Sequence, residues 1–448
     1  MAQGIADYLK TESPDPLAVI GYDCRFGAEA FSDEVARVFA GNGLRTLIFD
    51  RPSPTQVASW TVIDRKATGA VAITASHNPY LFNGVKYKPE TGSSAPTEVI
   101  RELERRIAAL GPDDVKRGER DPLVEVYDPL PAYVTQVGRM VDLDTLRAAG
   151  LKVLHECMYG SGYGYLSGLL EGGSTRVVEL HADRNPYFGG VNPEPITPNL
   201  GAALATMKSG GYDLCIATDG DADRVGIIDE GGRFINQLQV YALLMLYLFE
   251  VRGWRGPVVR ALNMTSMADQ LAKEFGVEVY EVPVGFKYIG PKMQETGAMM
   301  GGEESGGFGF AMHLPERDGI VADLFFLDFM LKTKKKPSEL IAELMRMAGP
   351  SYYLRRDLHF EANAYTAAKE RIMRTLREAA PEKLGGHAVA KIVHLDTNDG
   401  TKFFLDDGSW LLVRLSGTEP LVRVYAETRS QDELTPLLDA GEQMVKGA

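Results

Sequence analysis

Three times along this 448-residue chain, short apolar runs separated by helix-patterned stretches lead into a polar, chemically loaded loop. Such alternation restricts the fold to α/β units with open sheets, in which ligands gather beyond the carboxyl ends of the strands. In the first instance strands are expected at Leu17–Ile20, Leu44–Phe49 and Gly69–Thr74, with a capped helix starting at Ser32-Asp33-Glu34-Val35, and the loop is Ala75-Ser76-His77-Asn78-Pro79. In the second, strands at Leu151–Leu154, Arg176–Leu180 and Tyr212–Ala217 lead into Thr218-Asp219-Gly220-Asp221-Ala222-Asp223-Arg224. In the third, after a helical stretch at Leu238–Phe249, a strand at Pro257–Leu262, a helix at Ser266–Phe275 and a strand at Val277–Val282 precede a glycine-rich loop at Gly301–Gly309. The repetition is one of secondary structure, without a residue-by-residue repeat.

The C-terminal part has a different rhythm. Tyr352–Phe360, a helix at Ala364–Ala379, then Lys391–Leu395, Thr401–Leu405 and Trp410–Leu415 are separated by Asn-Asp-Gly and Asp-Asp-Gly, which are hairpin signals because these turns accept positive φ. An antiparallel α+β domain closed by a helix at about Ser430–Val445 is expected. A chain of this length exceeds a single core, and a prior of roughly 100–200 residues per domain allows three or four. The divisions expected are 1–132, 133–250, 251–351 and 352–448.

Composition narrows the function. The hydrophobic share of 45% and charged share of 24% are those of a globular protein, and no apolar run approaches the ~20 residues that span a bilayer. The N-terminus has no basic segment followed by an apolar one, so a cytoplasmic protein is expected. A net charge of −13 argues against nucleic acid, which needs clustered Lys and Arg, while leaving small anionic substrates open. Cys24, Cys157 and Cys215 are far apart with no C-x-x-C spacing, so neither a zinc site nor a disulfide framework is expected; they are read as reduced, buried fillers.

Asp219-Gly220-Asp221-Ala222-Asp223 is the most informative segment. In an extended stretch alternate side chains point the same way, so three carboxylates converge and repel. A hard cation relieves that conflict, and Mg²⁺ with oxygen ligands fits. A solvated acidic turn or a calcium loop is the alternative, but an EF-hand would need flanking amphipathic helices, whereas the twelfth position, Glu230, lies in a turn after the strand-like Val225–Asp229. Ser76 has no G-x-S-x-G context, so a hydrolase elbow is unsupported, and alone its segment reads equally as a helix cap or Asx-type turn. Gly302-Glu303-Glu304-Ser305-Gly306-Gly307 suits hydrogen bonding to sugar hydroxyls. Arg414-Leu415-Ser416-Gly417-Thr418-Glu419-Pro420, with Arg423, has the composition of a phosphate cradle.

Taken in order, T-A-S-H-N-P, D-G-D-x-D-R, G-E-x-S-G and R-x-S-G-T-E-P resemble the loops of the α-D-phosphohexomutase superfamily of phosphoglucomutases, phosphomannomutases and phosphoglucosamine mutases, across nearly the whole chain. The resemblance implies three related α/β/α domains with mixed sheets, a C-terminal α+β domain of TATA-binding-protein-like shape, and a cleft between them. It implies that Ser76 carries a phosphoryl group and that Asp219, Asp221 and Asp223 bind one Mg²⁺ per chain together with an oxygen of that phosphoserine. Lys86 would be general acid or base. His77, Asn78, Arg224, Lys287, Glu303 and Ser305 would bind the substrate, and Arg414, Ser416, Gly417, Thr418 and Arg423 the non-reacting phosphate. Hexose phosphates would be substrates, hexose 1,6-bisphosphate the activator and intermediate, and the chain a monomer or homodimer. A lysine in this role is expected to have a depressed pKa.

The chain departs from the family pattern at its start, where a helix stands in place of a strand and a G-T-x-G-x-R-like segment. One strand fewer is therefore expected in the first sheet, and that segment's arginine, which the resemblance places near the phosphoserine, has no counterpart. Gly307, where many bacterial phosphomannomutases and phosphoglucosamine mutases have histidine, Gly285-Phe286-Lys287, and Ala222 in the metal loop favour glucose phosphate. Phosphoglucomutase is the leading reading, with mannose phosphates left open as further substrates because glucose and mannose differ only at C2. The alternatives are phosphoglucosamine mutase, hexose-bisphosphate synthase and an inactive sugar-phosphate-binding protein.

Overall fold

The computed structural model describes residues 1–447 except Asp396, Asn398, Gly417 and Thr418. Three five-stranded sheets repeat one plan. In the first, Leu17–Tyr22 lies between its parallel neighbours Arg45–Phe49 and Gly69–Ile73, Val124–Tyr127 extends the parallel side, and Val85–Pro89 runs antiparallel on the edge next to Gly69–Ile73. In the second, Lys152–Glu156 lies between parallel Arg176–Leu180 and Leu214–Thr218, followed by antiparallel Val225–Ile228 and Phe234–Ile235. In the third, Val258–Ala261 lies between parallel Val279–Val282 and Met300–Gly302, followed by antiparallel Phe308–Phe310 and Leu314–Arg317. The central strands are near-continuous apolar runs because helices cover both faces.

This plan fixes the chemistry. In each sheet, the loop that joins the last parallel strand to the first antiparallel one carries the motif: residues 74–84 with Ser76, 219–224, and 303–307. The polar loops are thus equivalent positions of one repeated topology.

The first sheet has five strands, as the other two have, and helix Ala2–Glu12 precedes the first of them. Helix Ala2–Glu12 buries Ile5, Ala6 and Leu9, and Gly4 lets it approach helix Thr97–Ala108, since a Cβ there would lie 2.7 Å from Ile107 Cγ1. Helices Gln237–Leu246 and Gly319–Thr333 are buried along most of their length and largely apolar, with Asp323 and Asp328 buried in the second; Asp318 caps that helix through the Val321 N–H at 2.9 Å.

The C-terminal unit is a six-stranded antiparallel sheet from Tyr352–His359 to Lys383–Leu384, with helices Ala362–Glu378 and Gln431–Lys446. The expected hairpin strands are present. Leu421–Thr428, which the sequence reading did not mark as a strand, is central in this sheet, between Tyr352–His359 and Trp410–Leu415. All three cysteines are free and buried. Among the described residues no helix is long and apolar enough to cross a membrane.

Candidate active site

Strand Gly69–Ile73 delivers Ser76 at φ 51, in the left-handed region. Two devices hold it there. The Ser76 N–H donates to Thr74 Oγ1 at 2.8 Å, and the wholly buried Arg25 guanidinium donates to the carbonyls of Ser76 (2.5 Å), Asn78 (2.7 Å), Pro79 (3.0 Å) and Phe82 (3.0 Å). Asp23 braces Arg25 at 3.2 Å and accepts from Thr74 Oγ1 at 2.7 Å. Arg25 supplies an arginine at the serine loop from the segment Gly21-Tyr22-Asp23-Cys24-Arg25. Sequence reading missed it, although an Asp-x-Arg just past a strand's carboxyl end was a signal.

Ser76 Oγ donates to Asp219 Oδ2 at 2.9 Å, so the first and second loops meet. Asp219, Asp221 and Asp223 are buried, with ligand oxygens within 4.8 Å of one another. Their convergence comes from a turn rather than from the expected extended alternation. The Asp219 carboxylate accepts the N–H groups of Asp223 (3.0 Å) and Arg224 (3.2 Å), and Ala222 takes φ 56. Burial first, then Asp221 and Asp223, push the Asp219 carboxyl well above its usual range. Burial also acts upward on Asp221, but Lys86 and Thr55 outweigh it and hold it below that range.

Among the described residues Asp221 Oδ1 and Asp223 Oδ1 are buried without a hydrogen-bond partner. Buried acceptors left open in an all-carboxylate, hard donor set are what a divalent cation satisfies, so these residues fit one.

Lys86, on the antiparallel edge strand, places Nζ 2.6 Å from Asp221 Oδ2 and 3.3 Å from Asp223 Oδ2. Burial pushes its ammonium down, but the two carboxylates push it further up, so its pKa is raised. The depressed pKa expected from sequence is corrected, because the lysine faces carboxylates rather than other cations alone. Arg317, also missed from sequence, joins two loops: Nη2 reaches Asp223 Oδ2 at 3.0 Å and Nη1 reaches Glu303 Oε1 at 2.8 Å. Its stem passes Gly307, where a Cβ would lie 2.2 Å from Arg317 Cδ.

A cavity of about 460 Å³ connects the four loops. His77, Asn78 and Arg224 line one side, Glu303 and Ser305 another, and Arg414 and Arg423 a third. His77 is held neutral, its pKa pushed well down by burial and then by Arg224. Ser305 Oγ donates to Glu303 Oε1 at 2.8 Å. Glu304 accepts from Tyr353 OH at 2.5 Å and lies 3.6 Å from Arg355, which binds the sugar loop to the fourth unit. Arg414 donates to Asp399 at 2.8 Å, Arg423 to Glu419 at 2.9 Å, and Ser416 Oγ accepts the Glu419 N–H at 3.1 Å. Among the described residues Arg224 Nε and Nη1 and Arg423 Nε are buried without a hydrogen-bond partner, so two arginines of the cavity lining offer guanidinium donors to an anion.

Gly417 and Thr418 lie outside the described residues. Lys287 is not brought in. It is exposed at the start of helix Phe286–Thr296, with Nζ over the Tyr288 ring at 5.1 Å, while Val284 lines the cavity.

The comparisons agree with this geometry. Family models described as phosphoglucomutase/phosphomannomutase match in chain order: α/β/α domain I over residues 1–113, domain II over 131–232, domain III over 236–348, and the C-terminal domain over 369–440. A Thermococcus kodakarensis phosphoglucomutase/phosphomannomutase is 31% identical over 447 residues, covering 98% of this chain and 92% of the relative. A Methanopyrus kandleri protein assigned as a phosphoglucosamine mutase is 31% identical over 378 residues, covering 84% and 78%. The structure of a Thermus thermophilus protein assigned as a phosphomannomutase superposes with a TM-score of 0.86 at 33% identity, covering 100% of this chain and 94% of that one. The chain therefore belongs to the phosphoglucomutase/phosphomannomutase family of the α-D-phosphohexomutase superfamily, isomerases that shift a phosphoryl group within a sugar.

Proposed function

We propose that this chain is a Mg²⁺-dependent phosphoglucomutase that interconverts glucose 1-phosphate and glucose 6-phosphate through a phosphorylated Ser76 and a glucose 1,6-bisphosphate intermediate. The observation that carries the reading is the juxtaposition of Ser76 Oγ, 2.9 Å from Asp219, with a cavity lined by Arg224 of the second loop and by Arg414 and Arg423 of the fourth. A substrate with one reacting and one anchored phosphate needs both ends.

Asp219, Asp221 and Asp223 would hold Mg²⁺, which when bound offsets the charge of the transferring phosphoryl group. The substrate hydroxyl attacks phosphorus, the bond from phosphorus to Ser76 Oγ breaks, and the serine oxygen takes a proton. Lys86, kept charged beside Asp221 and Asp223, supplies that proton and takes up the one that the attacking hydroxyl releases, so it ends the half-reaction in the state in which it began. Arg224 stabilises the phosphoryl oxygens at this end. His77 and Asn78 flank the reacting group, and neutral His77 can donate its ring N–H to a phosphoryl oxygen. Glu303 and Ser305 read the sugar hydroxyls, while Arg414, Ser416 and Arg423 grip the distal phosphate. The bisphosphate then turns over so that its other phosphate returns to Ser76; 460 Å³ lies within the about 300–1,000 Å³ typical of small-molecule sites. In this reading the divisions 1–132, 133–250, 251–351 and 352–448 assign one loop to each unit.

The choice of glucose rests on residue 307. With Arg317 packed across Gly307, a histidine there would displace the bonds from Arg317 to Glu303 and Asp223. The test is peptide mass spectrometry after incubation with Mg²⁺ and glucose 1,6-bisphosphate, coupled to assays on glucose, mannose and glucosamine phosphates. Phosphate on Ser76, turnover lost with EDTA and a preference for glucose are expected. A preference for glucosamine would overturn the sugar assignment, and release of bisphosphate without isomerisation would overturn the mutase reading.

A further inference from the structure

The second sheet brings together a cluster that the phosphoryl chemistry does not use. Lys152–Glu156 and Arg176–Leu180 pair in parallel with His155 opposite Glu179. Cys157, two residues after His155, returns to the same side of the chain. His155 Nδ1 consequently lies 3.5 Å from Cys157 Sγ and 3.5 Å from Glu179 Oε1, with one ligand atom from each of the three residues within 4.8 Å of the others. The imidazole and thiol are fully buried, while the Glu179 side chain is 17% exposed and opens the cluster to the surface.

The donors are also oriented. His155 Nε2 lies 3.2 Å from Thr218 Oγ1, which leaves Nδ1 to face the sulfur and the carboxylate. Glu179 Oε1 is fixed by the Gly164 N–H at 2.8 Å and Ser167 Oγ at 2.9 Å. Outer hydrogen bonds of this kind set the direction of metal ligands. With metal–ligand bonds of about 2.0–2.3 Å, tetrahedral zinc ligands sit about 3.4–3.6 Å apart, which matches both 3.5 Å separations.

We propose that His155, Cys157 and Glu179 form a second cation site, separate from the aspartate loop, that takes a borderline-soft divalent cation of the Zn²⁺ class. Sulfur and imidazole nitrogen favour such an ion over Mg²⁺, so the two sites sort cations by donor type. On binding, the Cys157 S–H bond breaks, sulfur bonds the metal, and the proton leaves to solvent.

Co²⁺ is the probe, titrated into the full chain with saturating Mg²⁺ on the aspartate loop. The expected result is a thiolate-to-cobalt charge-transfer absorption that saturates at one equivalent, is displaced by Zn²⁺, and is absent in Cys157→Ser. Glu179→Gln should weaken Co²⁺ binding by about 10–100-fold. A missing absorption, or one that survives in Cys157→Ser, overturns the proposal and leaves a thiol–imidazole hydrogen bond. Should the serine variant fail to fold, unchanged Co²⁺ affinity in Glu179→Gln overturns it equally.

Discussion

Lys86 shows how one side chain is shaped by its neighbours. Its spacing after Ser76 marked it as a candidate, but its charge state was set by Asp221 and Asp223, which arrive from another unit. We predict that Lys86→Met lowers turnover by about 10²–10⁴-fold, the range for a lost acid–base group, with the serine loop intact because Lys86 makes none of its bonds. Steady-state kinetics with peptide mapping of Ser76 phosphorylation checks this, and full turnover would remove Lys86 from the mechanism. Arg25 illustrates the reverse case. The Asp-x-Arg of its segment is only a local signal, yet it donates to four carbonyls of the serine loop, a role that is visible only once the loop is folded over it.

At the level of the element, the hairpin after each parallel run is the functional unit. The third hairpin, Phe308–Phe310 with Leu314–Arg317, turns Arg317 back across Gly307 so that one guanidinium joins Glu303 to Asp223. A side chain at 307 meets that stem at 2.2 Å, which no rotamer of a Cβ can relieve. We predict that Gly307→Ala shifts Arg317 and lowers kcat/KM by about 10²-fold, the scale of an ångström-sized misplacement, while the helices and sheets persist. Kinetics paired with far-ultraviolet circular dichroism separates the two effects; wild-type kcat/KM would show that Arg317 is not positioned through this contact. The hairpins were legible in sequence as loops with chemistry. That the three loops occupy one equivalent topological position was not, because strand order is decided by contacts distant in the chain.

At the level of the whole molecule, buried ion pairs link the units. Lys88 of the first sheet and Glu316 of the third approach to 2.5 Å with 2% and 1% exposure, and Ser94 Oγ adds a hydrogen bond to Glu316. Removing one partner leaves a buried charge uncompensated, so Lys88→Met should cost about 3–5 kcal/mol, and adding Glu316→Leu should recover much of it. Urea unfolding of the three proteins tests this, and an unchanged midpoint in the single variant would count against it.

Lys402 of the fourth unit is buried against the third, donating to the Leu262 carbonyl and to Glu281 at 3.4 Å. Burial and then Arg260 push its ammonium down from 10.5 to about 8. Above about pH 8 the unfolded chain holds a proton that the native state has released, so this group's contribution to stability rises with pH until about 10.5. The stability of the wild type relative to Lys402→Met should therefore rise by about 3 kcal/mol between pH 7 and pH 10.5. A wild-type-minus-variant difference independent of pH would refute it.

The sequence by itself determined the α/β alternation, the antiparallel C-terminal unit and the order of the loops, and it marked Ser76 and the three aspartates as candidates, because periodicity and motif chemistry are local. Tertiary structure decided what those groups meet. It placed Lys86 and Arg317 against the aspartates, left Lys287 on the surface, and put His155, Cys157 and Glu179 within reach of one ion, a cluster that cysteine spacing alone gave no reason to expect. Hydrogen-bond partners, burial and charge state depend on side chains far apart in the chain, and only the packing of one sheet against another specifies them.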